Sequence, residues 1–427
     1  MGIGIGIDFA AAMARMEPFE LPPRLAVGVS GGADSLALVL LADEWARQRG
    51  GSALALIVDH GLRHEAAAEA AETASRLAER GISARILRLE GLVRGPALAE
   101  RARAARFSVL AEACAAEGIL HLLLGHHAGD QAETVLIRSL GGSGAAGLAG
   151  MAPVIEMAGL RILRPLLAVP PADLRSMLRS IGMSWVEDPS NADRAALRPR
   201  LRLLRRDSAG SGPATTALVA AAAEAARQRA EQELAVAAEL AEHASVRPEG
   251  FALLDGPVSA AAIAALVQTI GGAPFPPPTQ SVARLAQALA PATLAGVRLL
   301  QAGRLGPGWL LVREADAMAG PVTALPGAVW DGRFRLGAGF HAPAGATLGP
   351  VGDDAARLRQ VSPLPAAVLQ TLPAIRVASV LLAVPHLLYP DRKACEGIPV
   401  VFAPSRPAAA AAYRFGDASW AETPYVD

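Results

Sequence analysis

Two short stretches of this 427-residue chain concentrate residues that can do chemistry, and the first is a run of small polar residues between two apolar segments: Ser30, Gly31, Gly32, Ala33, Asp34 and Ser35. Glycines allow a backbone to approach a ligand closely, and serine hydroxyls donate hydrogen bonds. Where such a turn leads from a strand into a helix, the helix N-terminus adds about half a positive charge. We therefore expect the turn to bind phosphate, although a glycine turn before a Ser- or Asp-capped helix would use the same residues.

Two better-known phosphate-binding patterns do not account for this chain. The pattern GxxxxGK[ST] needs a lysine after a glycine, and the only lysine, Lys393, follows Arg392. The dinucleotide pattern GxGxxG occurs at 142–147, but residues 132–140 before it have apolar side chains at helical spacing. Because the strand that the pattern requires is missing, we predict a loop there rather than a dinucleotide site.

The second stretch, residues 125–134, contains two histidines and two carboxylates. Asp130 and Glu133 are three residues apart at a predicted helix start, so they share a helix face. His126 or His127 could join them in one site. The spacing Asp-x-x-Glu also fits a capping box, and one residue can both cap a helix and face a site.

Arginines cluster in two further places. Arg103 and Arg106 are three residues apart on a predicted helix and so share a helix face, although with Arg101 nearby they could also form a solvated arginine stripe. Residues 198–206 contain five more: Arg198, Arg200, Arg202, Arg205 and Arg206. Such a patch can bind a nucleic-acid phosphate backbone, whereas a solvated face between domains is the alternative.

The predicted elements place these stretches together. From residue 20 to about 205, short apolar runs alternate with amphipathic stretches, which predicts an α/β fold whose parallel sheet has helices on both faces, a Rossmann-like arrangement. Ligands bind such sheets at the carboxyl ends of the strands. The turn at 30–35, the pair Asp59 and His60, and the stretch 125–134 each follow a different predicted strand, so we expect them to meet at one edge.

Composition along the chain predicts three domains. We expect an α/β catalytic domain over 1–206, a linker over 207–216, a helical domain over 217–315 and a small β-containing domain over 316–427. The linker is rich in Ser and Gly, and an Ala/Glu/Arg-rich helical stretch follows it.

Five blocks in this order resemble the tRNA(Ile)-lysidine synthetases, a family of PP-loop enzymes among the N-type ATP pyrophosphatases: SGGADS at 30–35, VDHGLR at 58–63, ARAARF at 102–107, GHHAGDQAET at 125–134 and WVEDPSN at 185–191. The resemblance implies that the enzyme uses ATP and magnesium to adenylate the carbon-2 carbonyl of the wobble cytidine in isoleucine tRNA with a CAU anticodon. Free L-lysine then displaces AMP through its side-chain amine and forms lysidine.

The resemblance also implies roles for particular residues. The turn at 30–35 would bind the pyrophosphate end of ATP, with Asp34 near magnesium, and Asp59 and His60 would line the pocket. A catalytic role is implied for Asp34, Asp130, Glu133, His126, Arg103 and Arg106. Weaker tRNA contacts are expected at Asn191 and at the five arginines of 198–206, and a homodimer is left open.

Three positions depart from the family pattern. Gly129 stands where an aspartate is common, Gly141 where an arginine is common, and Pro199 where an asparagine is common. These changes bear on the roles of individual residues more than on the reaction, since Asp34, Asp130 and Glu133 are all present.

Composition excludes several classes of protein. The two cysteines, Cys114 and Cys395, form no CxxC pair, which argues against zinc, iron–sulfur and the tRNA thiolation enzymes that share the loop. No apolar run is long enough for a membrane span, and the formal net charge is zero, so we expect a cytoplasmic protein that binds RNA through local patches. Another PP-loop tRNA-modifying enzyme and a non-catalytic RNA-binding protein remain the alternatives.

Overall fold

The computed structural model describes residues 7–408, apart from 60, 62–64, 90–94, 96–97, 158, 188–196, 338, 341 and 396. The chain forms two compact units, the first ending at Ala230 and the second beginning at Glu231. None of the helices within the described residues is long and apolar enough to cross a membrane.

The elements of the first unit alternate between strand and helix over most of its length. They are Phe9–Ala14 (α1), Arg24–Val29 (β1), Ala33–Arg47 (α2), Ser52–Asp59 (β2), Ala66–Ala78 (α3), Ser83–Arg88 (β3), Leu98–Glu117 (α4), His121–Leu124 (β4), Ala128–Leu140 (α5), Ala145–Leu148 (α6), Val154–Met157 (β5), Leu160–Leu163 (β6), Pro171–Ser180 (α7), Leu197–Arg205 (α8) and Pro213–His243 (α9), which continues past Ala230.

The strands of the first unit form one six-stranded sheet in the order β3-β2-β1-β4-β6-β5, and every pair is parallel except β5 with β6. The predicted α/β fold is therefore confirmed. The chain passes from β1 outward through β2 and β3 and then returns to β4 on the other side of β1. Ligands bind doubly wound sheets at this switch point, beyond the carboxyl ends of the two central strands.

Alternation along β1 explains why both faces of the sheet are covered. Leu25, Val27 and Val29 pack with α2 in one buried cluster, whereas Ala26 packs with Leu110 of α4 in another. Helix α2 is buried along most of its length, as expected for a helix against a central strand. The central strands and α2 thus hold the turn between them in a fixed position.

The second unit combines short helices with antiparallel sheets. Its elements after α9 are Ala244–Val246 (β7), Ala252–Leu254 (β8), Ala260–Gly271 (α10), Thr279–Gln287 (α11), Ala292–Leu294 (β9), Val297–Gln301 (β10), Trp309–Arg313 (β11), Val322–Thr323 (β12), Val329–Trp330 (β13), Phe334–Leu336 (β14), Ala346–Pro350 (β15), Ala355–Leu358 (α12), Ala366–Leu369 (α13), Pro373–Val377 (β16), Val380–Ala383 (β17), Arg392–Cys395 (α14) and Val400–Phe402 (β18).

The helical middle region and the β-containing end are both observed. Residues 217–315, predicted to be helical, also contain all five strands of an antiparallel sheet, β7-β8-β11-β10-β9. Two further sheets follow, β12-β15-β16-β17 and β13-β14-β18. The domain limits at 206, 216 and 315 stay predictions.

Candidate active site

The turn after β1 is braced by its own serines. Ser35 Oγ accepts a hydrogen bond from the Ser30 amide at 3.1 Å and donates one to the Gly32 carbonyl at 3.0 Å. Helix α2 begins at Ala33, and no side chain caps it at Gly32. A plain Ser- or Asp-capped helix start is therefore not what these residues form, and the positive end of the α2 dipole is available to an anion.

Gly31 has a conformation and a position that favour glycine. Its φ is +80°, and a Cβ added there would lie 2.9 Å from Thr73 Oγ1. The Gly31 carbonyl accepts a hydrogen bond from the Val186 amide at 2.9 Å. Residues 185–187 of the fifth sequence block therefore lie against the turn.

Gly31→Ala is expected to lower the free energy of unfolding, because the positive φ alone costs an L-residue about 1–2 kcal/mol. It is also expected to weaken ATP binding about tenfold, because the added Cβ displaces Thr73 and so shifts the turn. The matched control is Gly159→Ala, whose φ is +76° with nothing within 4 Å of its Cβ position. The control is expected to lose only stability. Equal ATP affinity in the two variants, measured by isothermal titration, would contradict a ligand-binding turn.

A cavity of about 190 Å³ opens between the carboxyl ends of β1 and β4. Apart from Gly28 of β1, its polar and glycine lining comes from three of the predicted stretches: Ser30, Gly32, Asp34, Ser35, Arg106, Gly125 and His126. Gly125 permits this arrangement, since a Cβ there would lie 3.2 Å from the Asp34 backbone. The structure therefore brings together residues that are more than 90 positions apart in the sequence.

Asp34 is the carboxylate of this cavity. Its Oδ1 is buried and has no hydrogen-bond partner among the described residues, and its Oδ2 lies 3.5 Å from His127 Nε2. Burial raises the pKa of Asp34 above its ordinary value, opposed by His127 and reinforced by the charge of Asp130. An orphaned, desolvated carboxylate oxygen is typical of a group placed for a ligand rather than for stability.

Asp130 and Glu133 lie at the start of α5, as predicted. Asp130 Oδ2 accepts a hydrogen bond from the His127 amide at 3.2 Å and completes a capping box. The same oxygen lies 3.5 Å from His127 Nε2, so this ring bridges Asp130 and Asp34. Asp130 therefore caps the helix and also contacts the histidine ring that lies beside Asp34. Glu133 takes no part in capping, and its side chain is 1% exposed.

Two arginines predicted to contact tRNA are placed on these carboxylates. Arg202 Nε donates to Glu133 Oε1 at 2.6 Å, and its Nη2 lies 3.3 Å from Asp130 Oδ1. Burial opposes ionisation of Arg202, but the hydrogen bond and charge of Glu133 prevail and raise its pKa. Arg205 Nη1 lies 3.8 Å from Glu133 Oε1.

The remaining members of the predicted tRNA patch lie elsewhere. Arg200 and Arg206 are exposed. Arg198 lies within α8, but its side chain is not described, and His60 and Asn191 lie outside the described residues. Asp59 is buried at the end of β2, where its Oδ1 accepts a hydrogen bond from the Gly61 amide at 2.9 Å. This contact gives Asp59 a turn-forming role, and its predicted role in ATP binding stays a prediction.

Three arginines near His126, Arg103, Arg106 and Arg164, form a cationic wall of the site. Burial, together with the charges of Arg164, Arg103 and Arg106, lowers the pKa of His126 to about 4. Arg164, which the sequence reading missed, follows β6 directly, and its Nη1 donates to the Ala152 carbonyl at 2.7 Å. An arginine immediately after a buried apolar strand is the signal that could have found it. Burial and Arg103 lower the pKa of Arg164 to about 10.

The low pKa of His126 predicts a stability difference with pH. Its folded pKa of about 4 lies below the ordinary 6.5, so the unfolded chain takes up the proton first as pH falls. Stability is therefore full above pH 6.5 and declines by about 3 kcal/mol on approaching pH 4, and His126→Asn should remove this part of the decline. Urea denaturation at pH 7.5 and 4.5 measures it. Parallel losses in the wild type and the variant would show that His126 is not held neutral by its surroundings.

Comparison with known proteins identifies one family of relatives. A sequence model described as a PP-loop domain matches residues 9–206. The tRNA(Ile)-lysidine synthase of Bradyrhizobium sp. is 44% identical over 218 residues, 50% of this chain and 61% of that protein. The synthase of Mesorhizobium japonicum is 38% identical over 341 residues, 74% of each chain, and that of Ruegeria pomeroyi is 35% identical over 74% of this chain and 77% of its own. The matched region thus spans about three fifths of the first of these relatives.

Proposed function

Because the chain belongs to the tRNA(Ile)-lysidine synthase family, we propose that it ligates lysine to carbon 2 of the wobble cytidine of isoleucine tRNA with a CAU anticodon, through an adenylated tRNA. The observation that carries this proposal is the bridge of His127 between Asp34 and Asp130. It joins an anion-binding turn to a pair of carboxylates within one site. Such a site suits a reaction that activates with ATP and then accepts an amine.

The turn and the cationic wall support the ATP half of the reaction. The uncapped start of α2 and the glycine backbone at 31–32 suit the pyrophosphate end of ATP. Arg106 lines the same cavity, and its pKa is lowered by burial and by Arg103. Cytidine oxygen 2 attacks the α-phosphate and pyrophosphate leaves, so positive groups around the leaving phosphates favour this step.

The acidic side of the cavity fits magnesium. Magnesium is held by one or two carboxylates together with substrate phosphates, and it neutralises the charge that develops on them. Asp34 offers a buried oxygen without a partner, and Asp130 lies across His127 from it. We therefore assign Asp34 as the carboxylate that would hold magnesium beside ATP. Asp34 itself serves to orient the phosphates that are held at the turn.

Asp130 and Glu133 support the amine half. The Arg202 guanidinium lies against both carboxylates, which shows that the pair can bind a cation. The ammonium group of a substrate would need the same acceptors. The attacking lysine nitrogen must lose a proton to react, and a carboxylate of this pair can take it. The nitrogen then bonds to carbon 2 and AMP leaves with the bonding electrons.

The cysteines argue against the thiolation alternative. Burial raises the pKa of Cys114 to about 11, so its thiolate is scarce at neutral pH, and Cys395 is also buried with a raised pKa. A non-catalytic RNA-binding protein would not need an orphaned carboxylate beside an anion-binding turn. Contact of the exposed Arg200 and Arg206 with tRNA, a cytoplasmic location and a homodimer belong to this proposal as expectations.

Labelled lysine, ATP, magnesium and an unmodified transcript of the tRNA test the proposal. We expect lysine to enter the RNA only when ATP is present, with one pyrophosphate released per lysine transferred. Pyrophosphate release without lysine transfer would favour another PP-loop enzyme. RNA binding without any nucleotide dependence would favour the non-catalytic protein.

A further inference from the structure

Arg205, at the end of α8, contacts the start of α5 and the start of α9. No sequence pattern predicts that these two helix starts lie close together. We propose that Arg205 is a positioning residue, which fixes the first turn of α5 against the first turn of α9 and so sets the geometry of the carboxylate pair. This inference rests on the proposed function, since it concerns the site that would bind lysine. Arg205 was predicted only as a tRNA contact.

At the start of α5, Arg205 donates a hydrogen bond to the backbone just before the two carboxylates. Its Nη1 donates to the Gly129 carbonyl at 3.1 Å, one residue before Asp130, and lies 3.8 Å from Glu133 Oε1. Its side chain is 8% exposed. Gly129, where the family commonly has aspartate, leaves this space open: a Cβ there would lie 2.9 Å from His127 Cε1 and 4.0 Å from Arg205 Nη2.

On the α9 side, Arg205 reaches a hydroxyl that is itself held in place. Nη2 donates to Thr215 Oγ1 at 2.9 Å, and Thr215 in turn donates to Asp207. Asp207 also accepts from the amides of Gly210 and Gly212 at 2.9 and 3.0 Å, which closes the loop between α8 and α9. Thr215 is 1% exposed, so water does not compete for these bonds.

The neighbouring Arg206 provides the contrast. It carries the same charge but is exposed, with a φ of +49° at the end of α8. A phosphate-binding patch would use both residues in the same way. A positioning role belongs to Arg205 alone, and it predicts that Thr215, which cannot bind a phosphate group through charge, influences the binding of lysine.

Kinetic constants of four variants test this role. Thr215→Val removes the hydroxyl at constant shape, and we expect its KM for lysine to rise about tenfold, the weight of one buried hydrogen bond to a charged group, with KM for ATP and tRNA unchanged. Arg205→Ala should show a larger rise in KM for lysine, and Arg205→Lys a smaller one because lysine can reach one acceptor but not both. Arg206→Ala should raise KM for tRNA and leave KM for lysine unchanged. An unchanged KM for lysine in Thr215→Val, or equal increases in KM for tRNA in Arg205→Ala and Arg206→Ala, would overturn the proposal.

Hydrogen exchange keeps the test independent of turnover. The amides of residues 129–134 should exchange faster in Thr215→Val and Arg205→Lys than in the wild type, and at the wild-type rate in Arg206→Ala. A wild-type protein that forms no lysidine would contradict the proposed function alone, and exchange would still decide the positioning role. Unchanged exchange of these amides in Thr215→Val would contradict the positioning role of Arg205.

Discussion

Asp34→Asn is expected to reduce tRNA-dependent pyrophosphate release by about 10²–10³-fold, as loss of one preorganised charge at a reacting phosphate does. The melting temperature of the variant is expected not to fall. The reason is that burial already raises the pKa of Asp34, so the ionised side chain is held at a cost to the free protein. Asparagine removes that charge with little change in shape. Pyrophosphate release and thermal unfolding of the same preparation measure both effects.

Asp43→Asn is the matched control, since Asp43 lies on the same helix and pairs with Arg47 at 2.7 Å. It is expected to retain turnover and to lose about 1–3 kcal/mol, because Asp43 is buried and loses a charged hydrogen-bond partner, although Arg47 is half-exposed. Wild-type activity in Asp34→Asn, or a drop in its melting temperature greater than that of Asp43→Asn, would assign Asp34 a structural role.

Glu133→Gln should impair lysine transfer and lower stability, but it should leave adenylation of the tRNA intact. We expect lysine transfer to fall by about 10²–10³-fold, because the amide neither neutralises an ammonium group nor takes its proton. Stability should fall by about 3 kcal/mol, because Arg202 and Arg205 both lose the buried counter-charge that they share. Adenylation of tRNA without lysine should persist at a near wild-type rate, since Glu133 lies outside the lining of the cavity at the turn.

Glu117→Gln serves as the control for Glu133→Gln. Glu117 pairs with Arg85 at 3.0 Å and is exposed, so its replacement should change neither lysine transfer nor stability by a measurable amount. Single-turnover assays of the two half-reactions, each beside a denaturation curve, separate the effects. Equal loss of adenylation and lysine transfer in Glu133→Gln would place Glu133 in the ATP half and contradict the division of roles proposed here.

The sequence predicts those parts of the site that depend on local patterns. The glycine turn, the strand before it and the helix start at Asp130 each follow from residues within one stretch, and the parallel order of the strands brings them to one edge. The partners of Arg202 could not be predicted in this way. Its spacing within 198–206 fits a phosphate patch, and only the packing of α8 against α5 directs it to Glu133.

Two further features needed the folded structure. Arg164 is one arginine among many in the sequence, and its position on the wall around His126 depends on β6 lying beside β4. The sheet within 217–315 was not predicted as a unit, because three of its five strands have only three residues each. Such strands are too short to show the alternation that distinguishes a strand from a helix.

We propose above that one site couples ATP at the turn to an amine at the carboxylate pair. The most direct test is mass spectrometry of nucleosides from an isoleucine tRNA transcript with a CAU anticodon, after reaction with the protein, ATP, magnesium and isotopically labelled lysine. We expect the wobble cytidine to carry the lysine label and a transcript with uridine at this position to carry none. An unmodified cytidine after complete consumption of ATP, or label at another nucleotide, would contradict it.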